Sequence, residues 1–207
     1  MYDSEAKQKT LNLTVSAVFV AILLLEAFIP NVGYITILPG LPAITTIPLT
    51  VAVFASLSGP KAGAAFGLVW GLTSLIRAYA APNGLVTILL FQNPLIALLP
   101  RVAAGWTAGL AGQLTDKWDK ESRKPLAYAL SGLLASAVNT LMVILLSDLV
   151  YFSHPQKLAL ALGAKSGQAL LAILFTALAV NGILEAVFSG FITPIITVPL
   201  KKRLSRR

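Results

Sequence analysis

Long apolar runs separated by short basic connections constrain this chain more than anything else in it. The sequence divides into six of them: Leu11–Ile29, ended by Pro30, then Pro42–Leu57, Ala62–Tyr79, about Asn93–Leu114, Leu126–Leu149 and about Ala172–Leu200. An α-helix rises about 1.5 Å per residue and the hydrocarbon core of a bilayer is about 30 Å thick, so roughly 20 apolar residues make one crossing. Charged residues are 12% of the chain and hydrophobic ones 57%, where a soluble domain carries about 25% charged residues. The expected fold class is an all-α integral membrane protein, six transmembrane helices in a single domain over residues 1–207. Residues 83–92 read as a loop or a short outer helix, and 155–171 as a surface helix before the last span. The polar start MYDSEAKQKT runs into an apolar stretch of about 19 residues with no small-residue cleavage site, which predicts an uncleaved first helix.

The connections alternate in charge. Lys7, Lys9, Lys61, Lys117, Lys120, Arg123, Lys124, Lys201, Lys202, Arg203, Arg206 and Arg207 account for 12 of the 16 basic residues and fall on one side. The other side holds Lys157 and Lys165, while Arg77 and Arg101 lie within spans. By the positive-inside rule both termini are cytoplasmic. The connections on the far side are the longer ones, which points to a binding mouth facing out. A net charge of +8 could suggest nucleic acid, but basic residues placed between spans point to a bilayer as the partner instead. There is no cysteine and only one histidine, His154 in a polar turn, so no cofactor or histidine–cysteine metal site is expected. The Walker A pattern is absent, so any ATP used would be hydrolysed by another subunit.

Counting inward from the basic borders gives the depth of each polar residue. Glu26 lies 17 residues beyond Lys9, about 26 Å. Arg77 is 16 from Lys61, Arg101 is 15 before Asp116, Asn139 is 15 from Lys124, and Asn181 and Glu185 are 20 and 16 before Lys201. Six polar groups on five spans thus converge on one level in the outer third of the membrane. Ionisable groups at that depth face a cavity or one another. Two cations and two carboxylates could pair, Arg77 could snorkel to the headgroups, and the asparagines could be interhelical glue. A small polar ligand is the alternative, with Arg77, Arg101, Asn139, Asn181 and Glu185 as candidate contacts. FQNPLIALLPR, residues 91–101, adds Gln92 and Asn93 near the outer surface. Pro94 keeps Asn93 out of helical geometry, leaving its side chain to cap the next helix or to reach a ligand. This stretch is expected to form the lip and inner wall of an outward-facing pocket. Tyr34 and Trp70 either line the mouth or belong to an interfacial belt.

Ala17 and Ala21, within AVFVA, lie one turn apart on the first span, as Gly105 and Gly109 do on the fourth. Such small-xxx-small pairs let helix backbones approach closely, within the chain or against a partner.

AVFVA, LSGPKAGAAFGLVWGLTSLIRA (57–78), FQNPLIALLPRVAAGWTAGL (91–110) and NGILEAVFSGFITPII (181–196) together resemble the S component, or substrate-binding subunit, of energy-coupling factor (ECF) vitamin transporters. The resemblance covers nearly the whole chain. It implies the S-component fold, a vitamin bound from outside under the loop 31–46, which contains Tyr34, and docking through Ala17 and Ala21 onto the transmembrane coupling subunit EcfT with two ABC ATPases. ATP-driven toppling of the S component would then release the vitamin inside. Among the family's branches the sequence looks most like the pantothenate type, with riboflavin, hydroxymethylpyrimidine and folate types as alternatives. An arginine could hold the pantothenate carboxylate by two parallel N–H···O bonds.

Three other classes remain open on the residues alone. A stand-alone secondary transporter could use Glu26 and Glu185 as proton sites. A purely structural bundle would use the polar layer for pairing alone. A membrane enzyme has little to draw on: Ser131 and His154 fall in different environments, HExxH and paired aspartates are absent, and no catalytic residue is assigned.

Overall fold

The structure is a computed structural model and describes residues 2–29, 32–35, 44–82, 84–117, 123–163 and 169–204. Its elements are, in order, α1 (Tyr2–Phe28), β1 (Tyr34–Ile35), β2 (Ile44–Thr45), α2 (Ile47–Ser58), α3 (Pro60–Ala80), α4 (Leu85–Phe91), α5 (Pro94–Lys117), α6 (Lys124–Tyr151), α7 (Gln156–Ala161) and α8 (Leu170–Leu204). The fold is a helical bundle in which α3 packs on α5, α5 on α6 and α6 on α8, while α2 touches all of these and α1 leans on α2 and α3. The only sheet among the described residues is one antiparallel pair, Tyr34 opposite Thr45 and Ile35 opposite Ile44.

Among the described residues, four helices are long and apolar enough to cross a membrane: Glu5–Phe28, Pro94–Thr115, Lys124–Tyr151 and Leu170–Leu204. The remaining two expected spans differ in kind. Helix α3 has 21 residues, about 31 Å, but carries glycine at 63, 67 and 71 where large apolar residues would otherwise stand. The second expected span, Pro42–Leu57, is corrected: Ile44–Thr45 is extended, and α2 starts only at Ile47 and has 12 residues. The cause is local. The Thr46 N–H bonds to Gly33 O at 3.0 Å, which holds the chain in the hairpin, and Pro48 in the first turn suits a helix start. Residues 42 and 43 lie outside the described residues. Helix α1 begins nine residues before Leu11 and is exposed and polar over residues 5–10, where Gln8 Nε2 bonds Asn12 Oδ1 one turn on.

The glycines of α3 are what let it touch α5. A Cβ on Gly67 would run into the carbonyl of Arg101, and one on Gly63 into that of Gly105. Gly105 and Gly109 of the GWTAGLAG stretch therefore serve packing inside the chain, against Gly63 and Pro60. Phe19, Phe54 and Phe66 fill the angle between α1, α2 and α3, with Phe54 and Phe66 centroids 4.5 Å apart. Small buried alanines, Ala52, Ala55, Ala108 and Ala135, join α2, α5 and α6. The polarity pattern is inverted relative to a soluble bundle. Leu126, Leu149, Phe191 and Ile195 point outward, whereas Ser131, Ser136, Ser189, Thr193 and Thr197 are buried between helices. Ser56 Oγ bonds Ser131 Oγ at 2.8 Å across α2 and α6. An apolar solvent produces this arrangement, because leucine gains nothing by hiding from lipid and a hydroxyl needs a partner inside.

Candidate functional site

A cavity of about 290 Å³ opens among α3, α4, α5, α6, α8 and the segment leading into α2. Five of the polar residues singled out by depth line it: Arg77 from α3, Arg101 from α5, Asn139 from α6, and Asn181 and Glu185 from α8. Trp70 and Phe91 supply aromatic surface, and Thr45, Thr73, Ser74, Thr87 and Thr140 add hydroxyls.

The sequence Pro100–Arg101 has a physical explanation. Pro100 sits inside α5 and has no N–H, so the carbonyl of Ile96, four residues earlier, loses its helical partner. The Arg101 guanidinium takes that carbonyl, with Nη1 at 2.8 Å from Ile96 O. The same guanidinium lies 4.5 Å from the Phe91 ring centroid and 5.3 Å from that of Trp70. Arg101 is 5% exposed, and in a desolvated site such cation–π contacts contribute about 2 kcal/mol or more. The proline, the arginine and two rings therefore act as one unit that fixes a cation in the cavity wall.

The two buried carboxyls are held by neighbouring threonines. Glu185 Oε1 accepts from Thr45 N (3.0 Å), Thr45 Oγ1 (2.8 Å) and Asn181 Nδ2 (3.0 Å), and the charge of Arg101 acts on it as well. Glu26 Oε1, outside the cavity lining, accepts from Thr46 Oγ1 (2.6 Å) and Thr50 Oγ1 (3.0 Å). Thr45 and Thr46 are adjacent in sequence, yet one is tied to α8 and the other to α1. Reading by depth missed all three threonines.

Gln92 and Asn93 are placed differently from the expectation, because the backbone takes their amides. Gln92 Nε2 donates to Ala78 O at 2.9 Å, and Asn93 Oδ1 accepts the Leu95 N–H at 3.0 Å as the cap of α5. Neither lines the cavity. They brace α4 instead, together with Tyr79 Oη to Gln92 O at 3.2 Å and Tyr151 Oη to Leu89 O. Tyr34 contributes its backbone to β1, and its side chain lies outside the described residues. Ala17 and Ala21 are exposed on α1. Among the described residues no three histidine, cysteine or acidic side chains cluster as metal ligands.

An apolar outer face around a charged, hydroxyl- and amide-lined cavity defines a membrane protein shaped to hold a small polar solute. A family profile described as "ECF transporter, substrate-specific component" matches residues 11–197. The chain belongs to that family, whose members are transporter components and not enzymes. It is also similar to the Pantothenate transporter PanT of Leuconostoc mesenteroides, with 37% identity over 148 residues, 69% of this chain and 70% of the relative.

Proposed function

We propose that this chain is the pantothenate-binding S component of an ECF importer. It takes pantothenate from outside into the cavity and delivers it inward after docking on EcfT and two ABC ATPases, which topple it in the membrane. The observation that carries this reading is the cavity itself, a small space lined by the fixed cation Arg101 together with Arg77, Asn139 and Asn181. At about 290 Å³ it falls at the small end of ligand sites, which span about 300–1,000 Å³. The similarity to a pantothenate transporter supports the choice of vitamin.

In this reading α1, α2, α3, α5, α6 and α8 are the six crossings, both termini are cytoplasmic, and α4 and α7 cap the outer end. The short α2 reaches its full depth together with the β1–β2 hairpin above it. Ala17 and Ala21, exposed on a helix that packs mainly on α2 and α3, form the face offered to EcfT.

The test is calorimetric titration of the purified solitary protein with pantothenate and with its alcohol analogue, which lacks the carboxylate. One-to-one pantothenate binding is expected, with the alcohol weaker by about 100-fold or more, since removing one partner of a buried ion pair costs about 3–5 kcal/mol. Binding of a different vitamin would discard pantothenate and keep the family role. Equal binding of acid and alcohol would remove the arginines from the carboxylate site.

A further inference from the structure

An apolar groove of about 420 Å³ runs along the outside of the bundle, apart from the cavity. Helices α1 and α8 each pack on α2, and the groove is the space left between them. Val18 and Ile22 of α1 face Ile196, Leu200 and Leu204 of α8 across it, and the buried Val53 of α2 forms the floor. Thr14 and Thr50 also line it, but both hydroxyls donate within the chain, Thr14 Oγ1 to Thr10 O at 2.9 Å and Thr50 Oγ1 to Glu26 Oε1 at 3.0 Å. The groove thus presents no donor that an occupant must satisfy. Close helix contacts in this chain use small residues: Gly63 and Gly67 bring α3 onto α5, and Gly132 brings α6 onto α8. Among the described residues no glycine or alanine lines the groove. Branched walls hold a helix backbone off and admit a hydrocarbon chain. Thr14 to Ile22 on one wall and Ile196 to Leu204 on the other each span eight residues, about 12 Å, close to the roughly 15 Å of hydrocarbon in one leaflet.

Each wall carries one cation at a matching depth. Glu26 and Glu185 share a level, because they are tied to the adjacent Thr46 and Thr45. Lys7 is 19 residues from Glu26 along α1, and Arg203 is 18 from Glu185 along α8, so both lie about 27 Å from that level. Arg203 is exposed and follows Leu200 by three residues and Ile196 by seven, which puts it on the groove side of α8. Lys7 precedes Thr14 by seven residues and Val18 by eleven, on the groove side of α1. Lys9, nine residues before Val18, and Lys202, two after Leu200, stand on the other sides of the same helices. We propose that this groove is a binding site for an anionic phospholipid. One acyl chain lies between α1 and α8, and the phosphate sits at the level of Lys7 and Arg203. The branched walls select the chain and the two cations select the negative headgroup. Ala17 and Ala21 are not part of the groove lining, so the lipid sits beside the face proposed for EcfT and not on it.

The experiment follows the melting temperature of the full chain, purified in a non-ionic detergent and washed free of lipid, as dioleoylphosphatidylglycerol or dioleoylphosphatidylcholine is added. The two lipids share their chains and differ in head charge. Both are expected to stabilise the chain, and the midpoint for phosphatidylglycerol should be lower by about 5-fold for each cation engaged, or about 25-fold for two. Lys7→Gln with Arg203→Gln should bring phosphatidylglycerol to the level of phosphatidylcholine. Lys9→Gln with Lys202→Gln removes the same charge from the other faces and should keep the preference. Val18→Trp, at an exposed position of the wall, should fill the groove and abolish stabilisation by both lipids. The comparison of two lipids on the wild-type chain needs no variant to fold. Equal midpoints for the two lipids overturn the proposal, as does an equal loss in the two double variants, which would make the attraction a diffuse property of a basic protein. A Val18→Trp chain that responds to lipid as before but no longer co-purifies with EcfT gives the groove to the coupling subunit and overturns it too. Pantothenate titration is unaffected by any of these results, so the vitamin reading stands or falls separately.

Discussion

Replacing Pro100 by alanine should separate stability from affinity, because the structure gives the proline two opposed effects. A proline inside a helix costs about 3 kcal/mol through the missing hydrogen bond and the ring clash. Alanine restores the N–H, which reclaims the Ile96 carbonyl from Arg101 Nη1, now 2.8 Å away. The lost charge-assisted bond offsets about 1.5–3 kcal/mol of the gain. Pro100 is among the fully buried side chains, and the space left by two of its ring methylenes costs about 1 kcal/mol more in lost packing. These contributions nearly cancel, so the melting temperature in detergent should barely move. Affinity should not escape. Arg101 would enter the binding step with its guanidinium held by the two rings but no longer by the Ile96 carbonyl, and ordering it costs up to about 2 kcal/mol, at most roughly 30-fold in Kd for pantothenate. Calorimetry and thermal melting on the same preparation read both quantities. Pro194→Ala in α8, away from the cavity, is the control and should leave affinity alone. Unchanged affinity in Pro100→Ala, or an equal loss in the control, would refute the idea that the vacant carbonyl positions the arginine.

Other outcomes follow from the same contacts. Thr46→Val combined with Thr50→Val strips Glu26 Oε1 of both donors. At about 1–3 kcal/mol each this should lower the melting temperature by about 5–20 °C, and adding Glu26→Leu should restore most of it; a triple variant as labile as the double would show that the threonines act otherwise. Gly67→Ala drives a Cβ into the Arg101 carbonyl, so it should destabilise the chain and weaken pantothenate binding, while Ala65→Gly on the exposed side of α3 should cost only about 1 kcal/mol; melting curves and titration distinguish them. Ala17→Trp with Ala21→Trp should abolish co-purification with EcfT and spare calorimetric binding, and normal assembly would move the docking face elsewhere. Because the chain has no cysteine, single cysteines can map topology. Lys61→Cys and Lys202→Cys should react with an impermeant thiol reagent only after the membrane is opened, whereas His154→Cys should react in intact cells.

The long helices and the level of the polar layer were legible because both follow from one coordinate, depth along the membrane normal. Arg77, Arg101, Asn139, Asn181 and Glu185 share a level in the sequence and line one cavity in the structure. Depth says nothing of direction around each helix, and that is where reading failed to see the threonines. A helical threonine usually bonds its own backbone, as Thr10, Thr14 and Thr176 do with the carbonyl four residues earlier. Nothing in composition distinguishes one that reaches across. Thr45 and Thr46 differ by lying just before a helix, with no preceding turn to satisfy their hydroxyls. A buried glutamate that must find donors, together with threonines at a helix entrance, is the signal that could have found them. The amides of Gln92 and Asn93 were harder to place, since a helix start on Pro94 and a capping helix α4 both compete with a ligand for them.

The carboxyls also bear on the class of transporter. A proton-coupled carrier needs an acidic group that is released and re-bound as the ligand passes. Glu26 lies outside the cavity lining, and Glu185 lines it with one oxygen accepting three hydrogen bonds from Thr45 and Asn181. Both carboxyls thereby tie the segment entering α2, at consecutive residues, to the helices α1 and α8. Their visible work is to hold the backbone beside the cavity in place. On the function proposed above, release of the bound vitamin is supplied from outside the chain. That is the division of labour expected of a substrate-specific component, and the docking proposed for α1 uses Ala17 and Ala21, which are exposed there.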